Sequence, residues 1–345
     1  MRARFVQAEP GGLRCTLCPH DCLLQPGQPG LCGLRRNVGG ELQTLADGRL
    51  AAAHAAPIER KCLYHVAPGS LAFSYGAPGC NLRCGYCQNW MVSQTPKSGD
   101  WTAPRRLSPA ELVAAARAAG CRAVAATFTE PTVAIEYNLE VAQRARAAGL
   151  LVVWKTNGFI GTAAREAVTP HLDAVNVDLK TLDERLAAEA LGGGVGPVLA
   201  ALEAWRAAGV WVEVTTLVVP TLTDETAQLD AMAAWIGERL GPETPWHLNR
   251  FHPDFALRHL PPTPVEVLGV ARARALAGGL RHVYTDAEAR GAGRDTFCAA
   301  CGTRLLERGE SGLLADRRRG GVCPVCAARP AGLWPAMANA AAEVA

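Results

Sequence analysis

The sequence has no long apolar run and no strong excess of either charge. No stretch of its 345 residues approaches the roughly 18 consecutive apolar residues of a membrane-spanning helix. Residues 1–7 contain no apolar core of the kind found in a secretory signal, so we expect a cytoplasmic chain whose thiols stay reduced. Charged residues amount to 19% and the formal net charge is +3, which gives no signature of polyphosphate binding. The single charge run, Arg317 to Arg319, is expected to be a solvated turn, so neither a membrane nor a nucleic acid is an expected partner.

Cysteine is abundant, and its spacing indicates metal binding. The chain has 13 cysteines, and in a reducing compartment so many thiols favour metal sites over disulfides. Eleven of them fall into two quartets and one trio: Cys15, Cys18, Cys22 and Cys32 (the N-terminal quartet); Cys80, Cys84 and Cys87; and Cys298, Cys301, Cys323 and Cys326 (the C-terminal quartet). The other two, Cys62 and Cys121, are expected to be small, buried, apolar side chains.

The cysteine trio follows an apolar run directly and has a C-x3-C-x2-C spacing within residues 79–89. Four thiolates would complete a closed tetrahedral site, whereas three leave one metal position without a protein ligand. A cubic iron–sulfur cluster held by three cysteines therefore keeps one iron open to a small molecule. We interpret residues 79–89 as a cluster loop; a zinc knuckle and a chance trio in a cysteine-rich chain are the alternatives.

The N-terminal quartet has Pro and Gly between its cysteines, which suits a small, loop-rich unit folded around a metal. Zinc and an additional iron–sulfur cluster are both chemically compatible with four thiolates. An iron–sulfur cluster would act as an electron relay and zinc as a structural staple, and the staple is the interpretation that we favour. His20 is an alternative ligand, although we expect it to be an exposed loop residue.

The C-terminal quartet consists of two Cys-x2-Cys knuckles on either side of a basic, glycine-containing stretch that predicts a hairpin. Two knuckles at this spacing indicate a metal site. The site is either a zinc ribbon, which would be a structural or docking module, or a rubredoxin-like iron site, which would donate electrons. We favour the zinc ribbon, and we expect the Ala-rich residues 336–345 to fray as a tail.

Between the quartets, short β-type runs alternate with amphipathic helical stretches. The six β-type runs are residues 71–75, 123–128, 151–155, 174–178, 211–219 and 246–250, and the helical stretches include residues 109–119, 133–148, 198–208 and 225–240. This alternation predicts an α/β fold with a parallel sheet and crossover helices. Six repeats are too few for a closed eight-stranded barrel. We therefore expect an open, partial (β/α)6 barrel in residues 70–290, between an N-terminal metal-binding segment, residues 1–69, and a C-terminal module, residues 291–335.

Polar residues follow each of the six β-type runs. Ligands of parallel sheets bind at the carboxyl ends of the strands, so these residues are expected to form one site. In chain order they are the cluster loop, Glu130, Lys155 with Asn157, Asp178 with Lys180, Asp224, and His252 with Asp254. Tyr64 and His65 stand just before the first run, and they either line this site or pack against the core.

Several of these motifs resemble a known family. The cluster loop, with the aromatic Tyr86 before its last cysteine, resembles that of the radical S-adenosylmethionine (SAM) superfamily. Four short motifs are similar to those of glycyl-radical activating enzymes such as pyruvate formate-lyase activating enzyme: Glu130-Pro131, Thr156-Asn157-Gly158, Asp178-Leu179-Lys180 and Val218-Val219-Pro220. Cys-Thr-Leu-Cys-Pro-His from Cys15, Leu-Tyr-His from Leu63 and the cysteine-rich tail resemble the radical SAM enzyme of the AmmeMemoRadiSam system. In that family a proline commonly stands at the position of Cys62.

The resemblance implies an oxidoreductase of the radical SAM type. Cys80, Cys84 and Cys87 would hold a [4Fe-4S] cluster whose open iron binds SAM. A low-potential electron donor of the flavodoxin or ferredoxin type would drive reductive cleavage of SAM to methionine and a 5′-deoxyadenosyl radical. The residues implied in binding SAM are Tyr86, Asn89, Glu130, Lys155, Asn157 and Asp178, and those implied in catalysis are Asp178, Lys180 and His252. Glu130 matches the acid of the superfamily's Gly-Gly-Glu motif, although Phe128 and Thr129 stand in place of the two glycines.

The sequence does not identify the substrate. The resemblance implies a glycyl-radical partner protein, and a small metabolite or another macromolecule is the alternative. Two other functions remain: a non-catalytic adaptor with zinc in all three cysteine clusters, and an RNA-modifying enzyme guided by the C-terminal module and Arg317 to Arg319. The adaptor explains neither the vacant ligand position of the cluster loop nor the polar strand ends. Lys180 has the further alternative of being a surface lysine at the start of a helix.

Overall fold

The first part of the chain forms small antiparallel sheets in the computed structural model, which describes residues 1–98 and 105–334. One sheet has three strands: β1 (Val6–Glu9), β2 (Gly12–Cys15) and β3 (Cys22–Leu24). A two-stranded sheet, β4 (Arg35–Val38) and β5 (Glu41–Thr44), and the short strand β6 (Arg49–Leu50) follow. Two cysteines of the N-terminal quartet, Cys15 and Cys22, lie opposite each other in the β2–β3 ladder.

The centre of the chain is an eight-stranded sheet with seven parallel strands and one antiparallel edge strand. In chain order its strands are β7 (Ala52–Pro57), β8 (Leu71–Gly76), β10 (Ala123–Ala126), β11 (Leu151–Thr156), β12 (Ala174–Asp178), β13 (Trp211–Val218), β14 (Trp246–Arg250) and β15 (Val283–Thr285). Strand β9 (Arg105–Arg106) is not part of this sheet and pairs with β6. The spatial order of the sheet is the chain order, so each parallel strand lies beside the next one, as right-handed crossover connections favour. The strands β7 and β15 form its two edges, and the barrel is open.

Helices connect consecutive strands of the sheet. They are α1 (Trp90–Ser93), α2 (Pro109–Ala118), α3 (Ile135–Ala147), α4 (Thr162–Val168), α5 (Glu184–Leu186), α6 (Gly196–Ala207), α7 (Thr226–Arg239) and α8 (Val265–Ala277). Single helical turns of other types occur at Ile58–Lys61, Thr95–Ser98, Pro131–Ala134, Thr169–His171, Ala187–Leu191 and Phe255–Leu257. The start of α2 follows from its sequence, because Ser108 and Glu111 cap each other's backbone N–H and Pro109 occupies the first turn. Helix α7 buries one apolar stripe at helical spacing, made of Leu229, Met232, Ala233 and Ile236.

The C-terminal part adds a three-stranded antiparallel sheet, β16 (Thr296–Phe297), β17 (Arg304–Gly309) and β18 (Gly312–Asp316). Strands β17 and β18 are the hairpin predicted between the two knuckles. Arg308 fastens this sheet to the segment before β8: its buried guanidinium donates to the carbonyl of Tyr64 at 2.7 Å and lies 4.4 Å from the centroid of the Tyr64 ring. Two arginines that follow β18 form ion pairs, Arg317 with Glu307 and Arg318 with Asp316.

The structure confirms the six predicted strands, β8 and β10 to β14, and the open sheet. Two edge strands are missing from the sequence-based prediction. Strand β7 is rich in alanine, which has a low strand propensity, and β15 has only three residues. Because β7 lies within residues 1–69, part of that segment belongs to the central sheet. The predicted tail, residues 336–345, lies outside the described residues.

No single helix in the described part of the chain has the length and apolar character needed to cross a membrane. The helices Glu184–Leu191 and Gly196–Ala207, which are bent by 106° relative to each other, reach that length and character only when they are taken together.

Candidate active site

A cavity of about 330 Å³ opens at the carboxyl ends of the parallel strands. The cluster loop forms one wall, and residues at the ends of β10 to β14 form the other walls and the floor. The predicted site residues that line it are Cys80, Cys84, Cys87, Tyr86, Asn89, Glu130, Lys155, Asn157, Asp178 and Lys180. The residues predicted after β10, β11 and β12 therefore lie together beside the cluster loop, whereas Asp224 and Asp254, predicted after β13 and β14, do not line this cavity.

His252 is a predicted catalytic residue that the structure does not bring into the cavity. It is exposed in the loop after β14 and is not among the residues that line the cavity. The chain leaves β14 with the backbone N–H of Arg250 bonded to Asp286 at 2.7 Å, and the next residue, Phe251, is fully buried. The chain then turns outward, so the position of His252 after a strand does not place its side chain in the site.

The three cysteines of the cluster loop face the same cavity. Cys84 is buried, and Cys80 and Cys87 are half-buried. Leu82 donates its backbone N–H to Cys80 Sγ at 3.3 Å. Burial raises the pKa of the Cys80 and Cys84 thiols, and the ammonium of Lys180 opposes this rise at Cys84. Three thiols around one cavity, with a cation beside them, fit a metal cluster that keeps one coordination position open.

The carboxylate of Glu130 joins the ends of two neighbouring strands. Its Oε1 accepts the backbone N–H and the hydroxyl of Thr132 at 2.9 and 2.6 Å, and the hydroxyl of Thr156 at 2.8 Å. Its Oε2 accepts the backbone N–H of Asn157 at 2.8 Å. Burial raises the pKa of Glu130, and the four hydrogen bonds limit the rise. Because four protein donors already bind this carboxylate, Glu130 orders the Thr-Asn-Gly turn as well as lining the cavity.

A row of alternating charges lies along the cavity floor. Asp178 accepts from Lys155 at 3.0 Å through one oxygen and from Lys180 at 3.3 Å through the other. Lys155 also donates to Asn176 Oδ1 at 2.7 Å. Burial opposes the charged form of all three ionisable groups, yet the pKa of Asp178 is lowered and the pKa values of both lysines are raised, because each charge compensates its neighbour. Lys180, whose Nζ lies 5.9 Å from the ring centroid of the buried Tyr86, belongs to the cavity and is not a surface lysine.

Asn157 connects the strand ends to the cluster loop. Its side-chain nitrogen donates to Asn81 Oδ1 at 2.9 Å and lies 3.6 Å from Cys80 Sγ. Asn89, at the other end of the loop, donates to the carbonyl oxygen of Phe128 at 2.7 Å. Both ends of the cluster loop are thus bonded to the strand-end turns.

Of the two aromatic residues before β8, only Tyr64 reaches a cavity. It lines a second cavity of about 220 Å³, which shares Arg60 and Asn249 with the first. His65 is fully buried and binds the hydroxyl of Tyr284 at 2.6 Å and the carbonyl oxygen of Ala331 at 2.7 Å. His65 therefore has the packing role that was the alternative for this pair.

The two single cysteines differ from each other. Cys121 is buried, as predicted. Cys62 is half-buried, adopts a left-handed backbone conformation with a φ of 53°, and lines the second cavity with its Sγ 3.7 Å from Asn249 Nδ2. The expectation of an apolar core residue is wrong for Cys62, because the turn before β8 directs its side chain toward polar groups.

Lysine is rare in this chain, and most of its lysines lie at this site. The chain has four lysines, Lys61, Lys97, Lys155 and Lys180; three line the cavity, and Lys97 donates to the carbonyl oxygen of Leu82 in the cluster loop at 2.8 Å. The lysine ammonium is a compact charge whose pKa changes readily on burial. The arginine guanidinium stays charged in proteins, so an arginine cannot replace a lysine in this respect. Burial and the charge of Lys155 lower the pKa of Lys61 to about 8. Sequence reasoning missed Lys61, together with the lining residues Arg60 and Thr215, and the low lysine count is a signal that points to Lys61.

The four cysteine sulfur atoms of the C-terminal quartet lie close together. Its four Sγ atoms all lie within 4.8 Å of one another. Cys298 and Cys326 are 3.5 Å apart, and Cys301 and Cys323 are 3.6 Å apart. The quartet can hold a metal ion in this arrangement.

Comparison with known proteins identifies the family of this chain. A family model described as the radical SAM superfamily matches residues 75–232. The uncharacterized protein MJ0808 of Methanocaldococcus jannaschii is 36% identical over 304 residues, which cover 88% of this chain and 90% of that protein. The benzylsuccinate synthase activating enzyme of Thauera aromatica is 30% identical over 118 residues, 34% of this chain and 36% of that protein. The chain belongs to the radical SAM superfamily of enzymes.

Two solved structures that share little sequence with this chain match part of it. Streptococcus suis SuiB bound to the precursor peptide SuiA has a TM-score of 0.49 and 12% identity, covering 66% of this chain and 51% of that chain. A domain of pyruvate-formate lyase-activating enzyme from Bacteroides vulgatus has a TM-score of 0.42 and 13% identity, covering 47% of this chain and 98% of that chain.

Proposed function

We propose that Cys80, Cys84 and Cys87 hold a [4Fe-4S] cluster and that the adjoining cavity binds SAM, which is cleaved reductively to methionine and a 5′-deoxyadenosyl radical. The observation that carries this proposal is the convergence of three thiols and a Lys–Asp–Lys row on one cavity of about 330 Å³. When bound, the cluster would supply the electron and an open iron for the amino and carboxylate groups of SAM. The chemistry so supplied would be abstraction of a hydrogen atom from a C–H bond of the substrate, with 5′-deoxyadenosine as the product.

The residues that line the cavity are proposed to have different roles in binding the cluster and SAM. Lys180 lies next to Cys84 and Tyr86, so it would compensate the negative charge of the thiolates and would be available to the carboxylate of SAM. Lys155 is already bonded to Asp178 and acts through it. The remaining predicted contacts, Tyr86 and Asn89, lie on the cluster loop beside the cavity, where they would hold the adenosyl part. Glu130 positions the strand ends around the ligand.

Anaerobic reconstitution tests this function. We expect iron and sulfide in the protein, and an electron paramagnetic resonance (EPR) signal of the reduced protein that shifts when SAM is added. Cys84→Ala should lose the shift and form no 5′-deoxyadenosine, whereas Cys121→Ala, which changes a buried thiol outside the three clusters, should keep both. Full SAM cleavage by Cys84→Ala would contradict the proposal, and zinc alone with no SAM-sensitive signal would favour the non-catalytic adaptor.

As the substrate we propose a glycyl-radical partner protein, as the resemblance to activating enzymes implies, and as the subfamily we propose the radical SAM enzymes of the AmmeMemoRadiSam system. Support comes from the 30% identity to an enzyme that is named for activating benzylsuccinate synthase. A small metabolite is the second candidate, because the cavity lined by Tyr64, His247 and Arg294 adjoins the first and measures about 220 Å³. A reductant of the flavodoxin or ferredoxin type is the proposed electron donor in either case.

Fractionated cell extract separates the two substrates. The reduced protein is incubated with SAM and with either the macromolecular or the small-molecule fraction, and 5′-deoxyadenosine and organic radicals are measured. A stable radical that stays with the macromolecular fraction supports a partner protein. Stimulation of 5′-deoxyadenosine formation by the small-molecule fraction alone contradicts it and supports a metabolite.

For the C-terminal quartet we propose zinc and a structural or docking role. Zn–S bonds of about 2.3 Å place the sulfur atoms of a tetrahedral site about 3.8 Å apart, close to the 3.5 and 3.6 Å found between its cysteine pairs. A single iron of the rubredoxin type is the alternative. The RNA-modifying function loses support, because Arg317 and Arg318 are engaged in ion pairs.

A further inference from the structure

The N-terminal quartet is wider than the C-terminal quartet. Among the described residues, the C-terminal quartet is the group of cysteines whose sulfur atoms all lie within 4.8 Å of one another, and no three cysteines of the N-terminal quartet meet that limit. A single tetrahedral ion needs sulfur atoms about 3.8 Å apart. A cubane carries iron at four separate corners, so its thiolates stand farther apart. The sulfur atoms of the three cluster-loop cysteines do not all lie within 4.8 Å of one another either, so the loop shares the wide spacing.

The four N-terminal thiols nevertheless surround one space. Cys15 lies opposite Cys22 in the β2–β3 ladder. A Cβ atom placed on Gly30 would lie 3.9 Å from Cys22 Sγ and 4.0 Å from Cys32 Sγ. Cys18 lies in the turn between β2 and β3, where Asp21 donates its backbone N–H to the carbonyl oxygen of Cys18 at 3.1 Å. The four thiols surround one space, but their sulfur atoms lie farther apart than a single tetrahedral ion requires. This arrangement suits an iron–sulfur cluster better than zinc.

The N-terminal quartet touches the cluster loop on both sides of Cys80. On one side, His20 Nε2 lies 2.6 Å from the carbonyl oxygen of Asn81. Because a carbonyl only accepts, Nε2 carries the proton, and His20 is a hydrogen-bonded contact and not the exposed loop residue expected from the sequence. On the other side, Gly79 has a φ of 88°, which favours glycine, and a Cβ there would stand 2.8 Å from Leu34 Cδ1 and 3.1 Å from the carbonyl oxygen of Cys32.

We propose that Cys15, Cys18, Cys22 and Cys32 hold an iron–sulfur cluster that passes electrons to the cluster held by the loop, across the His20–Asn81 contact. The proposal rests on the proposed function, since the electron needs an acceptor at the loop. One electron enters from a low-potential donor of the ferredoxin or flavodoxin type, reduces the N-terminal cluster and moves on to the loop cluster. No bond is made or broken and no proton moves. Leu31 and Leu23, beside Cys32 and Cys22, are 57% and 43% exposed, so this face is accessible to a donor protein.

The first experiment measures the metal of the N-terminal quartet alone. The full chain carrying Cys80→Ala, Cys84→Ala and Cys87→Ala is reconstituted anaerobically with iron and sulfide. We expect it to retain iron, sulfide and an EPR signal on reduction that SAM does not shift, and to lose all three when Cys18→Ser and Cys22→Ser are added. Zinc in place of iron, or no iron in the triple variant, overturns the proposal. The proposed function is tested separately by the SAM-dependent shift in the unmodified chain.

The second experiment tests the relay in a chain that keeps all its cysteines. His20→Leu removes the donor to Asn81, and His20→Gln restores an N–H donor. With a reduced ferredoxin as the electron source, we expect single-turnover SAM cleavage to slow several-fold in His20→Leu and to recover in His20→Gln. Iron content and the SAM-induced EPR shift should stay unchanged in both variants, which separates electron transfer from SAM binding. His171→Leu, outside both cysteine sites, is the matched control, and equal rates in His20→Leu and His171→Leu overturn the relay.

Discussion

The backbone N–H of Asn157 donates to Oε2 of Glu130 at 2.8 Å, and this bond joins the turns after β10 and β11 at the cavity. The side chain of Asn157 continues the connection to Asn81 in the cluster loop. The wall proposed to bind SAM and the loop proposed to bind the cluster are therefore one hydrogen-bonded unit. Changes at Glu130 are expected to affect both stability and ligand binding.

Glu130→Gln keeps the shape of the side chain but replaces one acceptor with an NH2 group that faces other donors. We expect the free energy of unfolding to fall by about 1–3 kcal/mol and the affinity for SAM to fall with it. Anaerobic thermal unfolding and titration of the SAM-induced EPR shift measure the two effects. The control is Glu140→Gln, an exposed acid of α3 paired with Arg144, which should change neither. Equal melting temperatures in the two variants would contradict the role of Glu130.

Lys155 and Asp178 are expected to depend on each other. Lys155→Met and Asp178→Asn each leave the charge of the remaining partner without its counter-charge. The double variant should therefore lose less stability than the two single variants added together, with a coupling energy of about 0.5–3 kcal/mol. Unfolding of the three variants by denaturant measures this coupling. The pKa of Asp178 lies below its ordinary value of 3.8, so its contribution is complete above that pH and is lost as the pH falls through the lowered pKa. Additive losses at neutral pH would rule out the coupling.

Lys61 should react with acylating reagents at a lower pH than a typical lysine. Burial lowers its pKa to about 8, whereas the pKa values of Lys155 and Lys180 are raised. In trace labelling with acetic anhydride, read by mass spectrometry, we expect modification of Lys61 to rise around pH 8 while modification of Lys180 stays low. The same peptide in urea-unfolded protein is the control and should titrate near the ordinary value of 10.5. Identical profiles in folded and unfolded protein would disprove the effect of burial.

Cys301→Ser should remove the metal of the C-terminal quartet without abolishing SAM cleavage. Cys301 is an exposed member of the quartet, so its substitution disturbs packing little. We expect zinc content to drop while the iron of the cluster loop and the formation of 5′-deoxyadenosine persist, and Cys121→Ser to keep the zinc. Iron at this quartet, lost together with SAM cleavage, would show instead that the module donates electrons.

The sequence by itself determined the parts of this protein that depend on local pattern. Alternating apolar runs predicted the six central strands, the Ser108–Glu111 cap predicted the start of α2, and cysteine spacing separated the three clusters. Glu130, Asp178 and the cluster loop could be expected to meet because parallel strands place their carboxyl ends on one edge. These features follow from periodicity and spacing over a few residues.

Only the tertiary structure decided the features that depend on how distant segments approach. It brings Lys61 into the cavity and leaves His252 outside, because the direction of a chain after a turn is not encoded in spacing. It also sets the distances between sulfur atoms, which separate a single-ion quartet from a wider one. The contact of His20 with Asn81 joins residues 61 positions apart and depends on the packing of the N-terminal sheets against the barrel.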